Sequence, residues 1–123
     1  MTAVTRDLYI EQGATFTLGF NWYRSSTVTP GTPGLAYDLT GATARMQIRR
    51  KASDPTVLVD ATTENGKIVL GGVDGRIDVR LTDVDTNALT VKSAVYDFEI
   101  VLGADTHRLL QGAVTVSPNV TQP

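Results

Sequence analysis

The chain has 123 residues, a formal net charge of −2 and no cysteine. That length suits one ordinary domain, whose core needs neither a disulfide nor a structural metal to fold. Lack of cysteine excludes disulfides, zinc–thiolate sites and thiol nucleophiles, and the near-neutral charge offers nothing that draws in nucleic acid or an anionic membrane.

Met1 to Asp7 is a polar arm without the apolar stretch of a signal peptide. No apolar run approaches the ~18 residues that a spanning helix needs. From Asp7 the pattern turns strand-like. Leu8 and Ile10 point inward in a short strand Asp7–Glu11, and Gln12-Gly13 supplies a turn. Thr15–Tyr23 is the clearest strand: Phe16, Leu18, Phe20 and Trp22 alternate with Thr17, Gly19 and Asn21, which gathers the aromatic residues on one face. Trp22 is expected to anchor the core. Ser25 to Tyr37, rich in Ser, Thr, Pro and Gly, reads as a long exposed loop.

After the turn Asp38–Gly41 the alternation resumes, with Ala42, Ala44, Met46 and Ile48 inward and Thr43, Arg45, Gln47 and Arg49 outward. Val57–Asp60 is predicted as a short strand. Asn65-Gly66 reads as a hairpin turn into Lys67–Leu70, since both residues tolerate positive φ. A glycine-rich turn, Gly71–Gly75, leads to a strand with Ile77, Val79 and Leu81 inward and Arg76, Asp78 and Arg80 outward. Thr82 and Asp85 have capping-box spacing for one short helix, with Val84, Ala88 and Leu89 near a common face. Two strands close the chain. In Ala94–Leu102, Tyr96, Phe98, Ile100 and Leu102 face in while Asp97 and Glu99 face out. In Thr106–Val116, Leu110, Gly112, Val114 and Val116 share one face and Leu109, Gln111, Ala113 and Thr115 the other, so this strand is central or covered.

Seven or eight strands with turn signals about every 8–12 residues describe an all-β antiparallel sandwich or barrel in one domain, 1–123, with an arm (1–7) and a tail (117–123). No chemistry converges on a site. His107 is the only histidine and reads as a surface strand residue; no serine lies in a nucleophile elbow. Asp97 and Glu99 face outward from one strand rather than across a cleft. Asp74-Gly75 and Asp83–Asp85 lack the spacing of a calcium loop. The glycines at 71, 72 and 75 do not precede a helix as a phosphate-binding loop does. No catalytic, metal or cofactor site is therefore expected. Tyr23 and Tyr37 are the only aromatic residues read as exposed, which is thin support for a carbohydrate-binding platform.

One run goes further: Asp38-Leu39-Thr40-Gly41-Ala42-Thr43-Ala44-Arg45-Met46-Gln47-Ile48-Arg49. With Ile10–Phe16, Glu64–Ile68, Tyr96–Ile100 and Arg108–Pro118, in that order and spacing, it resembles small phage virion proteins similar to the N-terminal domain of phage baseplate upper proteins. The likeness spans about Ile10 to Val120, departing at the longer connection Ser25–Ala36. It implies an immunoglobulin-like sandwich in the virion, made in the host cytoplasm, with other virion proteins as partners and many copies assembled together. Tail or baseplate is the first placement, and a capsid decoration or cement protein the alternative. The family brings no catalytic residues. Docking is expected through the arm, the long loop, a basic strand end and the tail, with Thr2, Val4, Arg6, Val28, Pro30, Tyr37, Arg49, Arg50 and Val120 as candidate contacts. On this reading, deleting Met1 to Asp7 leaves the fold intact.

Overall fold

The computed structural model describes residues 3–23 and 36–121. Among them nine strands and one short α-helix follow in order, with a single 3-10 turn at Gly72–Asp74 between the sixth and seventh strands: β1 (Val4–Thr5), β2 (Leu8–Glu11), β3 (Phe16–Asn21), β4 (Thr43–Arg49), β5 (Val59–Thr62), β6 (Ile68–Leu70), β7 (Arg76–Leu81), α1 (Asp83–Asn87), β8 (Ser93–Leu102) and β9 (Asp105–Ser117). The larger sheet has the order β1-β9-β8-β4-β5, with β2 also on β9; the smaller has the order β3-β7-β6.

The period-two residues of both sheets meet in one core. Met46 and Ile48 of β4, Phe98 and Ile100 of β8, and Val114 of β9 face Leu18 of β3 and Ile77, Val79 and Leu81 of β7. Phe20 crosses the gap edge-to-face on Phe98, with ring centroids 5.3 Å apart. Each such side chain contributes about 1.5–3 kcal/mol when fully buried. The all-β, sandwich-like expectation therefore holds. Trp22 is 5% exposed and lies in this core as expected.

Strand direction departs from the all-antiparallel reading. β1 and β2 run parallel to β9, pairing Val4 with Leu110, Thr5 with Gln111 and Leu8 with Val114. The register offset is the same before and after Arg6-Asp7, so β1 and β2 are one edge strand with a two-residue interruption. Alternation records which face a residue takes and is blind to direction; no hairpin ties the two ends of the chain together.

The arm is thereby part of the sheet. The Arg6 N–H donates to the Gln111 carbonyl at 2.8 Å. The Asp7 carboxylate accepts from the Ala113 N–H at 3.0 Å, standing in for a strand carbonyl. The Tyr96 hydroxyl donates to the Arg6 carbonyl at 2.6 Å. Removing residues 1–7 exposes this edge, so the expectation of an intact fold is withdrawn.

Asn65-Gly66 is not a hairpin turn. β5 belongs to the larger sheet and β6 to the smaller, so this segment crosses between layers. Gly66 has φ of +81°, whereas no described residue other than glycine, Asn65 included, takes positive φ, which excludes the two-residue hairpin geometry expected. Instead the Asn65 side chain ties the crossing, accepting from the Thr62 and Lys67 N–H groups and donating to the Asp60 carbonyl. β5 accordingly starts at Val59 rather than Val57.

The capping box of α1 forms as read: Thr82 accepts from the Asp85 N–H, and the Asp85 carboxylate accepts from the Thr82 N–H. The expected apolar face does not. Val84 and Ala88 are exposed, while Thr86 and Leu89 are buried. Thr86 is placed by polar contacts, accepting from the Gly13 N–H and donating to the Ala14 carbonyl. Leu109 is a further correction. A bulge opposite Phe98/Glu99 pairs Phe98 with Leu110 and Glu99 with Arg108, leaving Leu109 as the extra residue, and both leucines are buried. β9 is central, as its two apolar faces suggested.

Candidate docking surface

The outward residues of the larger sheet form rungs across its strands. Arg45 of β4 pairs with Glu99 of β8, and Glu99 with Arg108 of β9. One rung further, Gln47 pairs with Asp97 and Asp97 with Gln111. These rungs line a shallow trough of about 790 Å³, closed on the β1 side by Thr5 and at the β4 end by Arg49.

Every charge in the trough has a neighbour. Arg45 Nη2 lies 3.1 Å from Glu99 Oε2, and Arg108 Nε 3.6 Å from Asp97 Oδ2. Arg49 donates to Gln47 Oε1 at 2.9 Å and to the Asp54 carbonyl at 2.7 Å. Such exposed pairs contribute only about 0–1 kcal/mol each, so the lattice of charge is weak evidence for stability. What it does is hold donors and acceptors at fixed strand spacing on a flat, polar floor.

At one end of the sandwich Trp22 stacks on Tyr37, with centroids 3.8 Å apart, and lies 5.2 Å from the His107 ring. This corrects two readings. Tyr37 is half-buried against the core rather than free outside, and His107 is half-buried against Trp22 rather than a plain surface residue. His107 pairs with Ile100, an inner-face residue, which turns it toward the core. Trp22 Nε1 is buried with no hydrogen-bond partner among the described residues.

The remaining nominated contacts are scattered. Arg49 borders the trough, but its guanidinium is committed to Gln47 and Asp54; Arg50 is exposed beside it. Val4 and Arg6 lie on the β1 edge, with the Arg6 backbone in use. Val120 is 95% exposed beyond the far end of β9. Thr2, Val28 and Pro30 lie outside the described residues. Arg108, Gln111 and Thr5 were missed as a surface with Arg45 and Glu99, because only the strand register brings them together.

Among the described residues no group of three or more His, Asp or Glu side chains could hold a metal ion. No helix among them is long and apolar enough to cross a membrane. Perturbed titrations are structural. Burial pushes the Tyr96 hydroxyl up to about 12. Burial raises the Asp85 carboxyl, but its bonds to Lys67 and to Thr82 outweigh this and hold it below the usual carboxylate value. No protein-family model matches the chain, and no curated protein matches it.

Proposed function

We propose that this chain is a non-enzymatic structural protein of a phage virion, a docking module of the tail or baseplate, folded as an immunoglobulin-like sandwich. The observation that carries the docking role is the outer trough: Arg45 pairs with Glu99 and Arg108 with Asp97 across strands, and Arg49 is held by Gln47 and the Asp54 carbonyl, a surface for protein contact with no unpaired acid or base poised for chemistry. The virion role rests on the ordered motif series from Ile10 to Val120. The immunoglobulin-like assignment is supported by strand order. β3-β7-β6 corresponds to strands B, E and D of such a sandwich, and β9-β8-β4-β5 to G, F, C and C′. The bridging helix and a tyrosine on the F-like strand whose hydroxyl bonds to backbone fit the same plan, although Tyr96 reaches the N-terminal strand rather than its own corner.

Quantitative mass spectrometry of purified particles tests the role. A tail component is present in a few tens of copies at most. A fixed ratio near that of the major capsid protein moves the chain to the decoration reading, and absence from particles refutes both. The carbohydrate-binding alternative keeps Tyr23 but loses Tyr37, whose ring stacks on Trp22. Glycan binding abolished by Tyr23→Ala would revive it.

A further inference from the structure

Among the described residues the two sheets have four edges, and they are not equally protected. β5 and β6 are short, and charged Asp60 and Lys67 sit on or beside them. The β1–β2 edge is broken at Arg6-Asp7 and carries Asp7 and Glu11. β3 is six residues long, Phe16-Thr17-Leu18-Gly19-Phe20-Asn21, without a charge or a proline. Sheet edges normally carry such devices because unpaired backbone groups template pairing with another chain.

The register identifies the free groups. The Trp22 N–H donates to the Gly75 carbonyl, so residues 16, 18 and 20 turn their backbone groups toward β7. The N–H and C=O groups of Thr17, Gly19 and Asn21 therefore point to the open edge, and no described residue bonds to them. A groove of about 300 Å³ runs beside Phe16 and Thr17, walled by Tyr9 and Glu11, which leaves room along the strand.

We propose that β3 pairs antiparallel with β3 of a second copy about a two-fold axis through Gly19. Thr17 then faces Asn21 of the other copy, the two Gly19 residues face each other, and about six N–H···O bonds join the smaller sheets edge to edge. Charge selects the occupant. In a two-fold pairing identical strands meet, and like charges directly opposite are unfavourable. β3 has none to oppose. The β2 edge centred on Tyr9 sets Asp7 against Glu11. Arg76 lies across Gly19, filling the space a β-carbon would need, and is already neutralised by Asp78 at 2.8 Å. The proposal names the partner of one edge and stands whether or not the virion reading does.

Sedimentation of the full chain across a wide concentration range should show a monomer–dimer equilibrium. Thr17→Pro removes an outward N–H without touching the β7 ladder and should abolish the dimer while circular dichroism is retained. Val69→Lys, on β6 at the opposite edge of the same sheet, should leave it unchanged. Should Thr17→Pro fail to fold, cross-linking decides. The chain has no native cysteine, so Thr17→Cys with Asn21→Cys should give a disulfide-linked dimer on oxidation, and Thr17→Cys alone should not. A monomer at the highest soluble concentration, a dimer that survives Thr17→Pro, loss of the dimer in Val69→Lys, or no cross-link in the double variant overturns the proposal.

Discussion

Gly112→Ala tests how the N-terminal strand is held. Gly112 sits on β9 opposite the interruption at Arg6-Asp7, and a β-carbon there would lie 2.5 Å from the Arg6 carbonyl oxygen, 2.9 Å from its carbon and 3.0 Å from Asp7 Oδ1. The first two are backbone atoms and cannot rotate away. The new methyl must push Arg6-Asp7 off the sheet, breaking the 2.6 Å Tyr96 bond and the 3.0 Å bond to the Ala113 N–H. Leaving the buried Tyr96 hydroxyl without its acceptor costs about 1–3 kcal/mol, and the lost Asp7 bond adds about 1 kcal/mol. Replacing glycine in a strand returns about 0.5–1 kcal/mol of chain entropy. The net expectation is a destabilisation of about 2 kcal/mol in urea unfolding, with faster hydrogen exchange confined to β1, β2 and Ala113. In a Tyr96→Phe background the cost should shrink, because the hydroxyl that Gly112→Ala strands is already gone. A Gly112→Ala protein as stable as the parent, or fully additive effects, would refute the latch.

Tyr96 also sets an alkaline limit. Its folded value of about 12 lies above the ordinary 10.0, so the neutral phenol is favoured in the native state. Its contribution to stability is complete below pH 10 and lost as pH rises through about 12; Tyr96→Phe should flatten that limb of the stability–pH curve. Trp22→Ala should cost about 3–5 kcal/mol, since the ring is buried against Tyr37. Trp22→Phe should cost far less, because it also removes an N–H that has no partner. Native fluorescence typical of a water-exposed indole would contradict the placement of Trp22.

Much of the fold was legible one strand at a time. The alternations through Thr15–Tyr23, Ala42–Arg49, Arg76–Leu81 and Ala94–Leu102 named core residues correctly because a strand's faces differ by a fixed period of two. The capping box at Thr82 and Asp85 was equally local: donor and acceptor lie three residues apart and meet whenever the helix forms. What required the tertiary structure was every relation between distant segments. That β2 runs parallel to β9, that Asn65-Gly66 crosses between sheets, that a bulge buries both Leu109 and Leu110, and that Arg45, Glu99 and Arg108 share a rung are facts of register. Register is set by how two sheets close over a common core, and local alternation is nearly the same for many registers. The unprotected edge belongs to both levels. The missing charges of Phe16–Asn21 are written in the sequence, but only the sheet order leaves that strand at an edge, with Thr17, Gly19 and Asn21 turned outward, because β7 fills one side of it and no described strand the other.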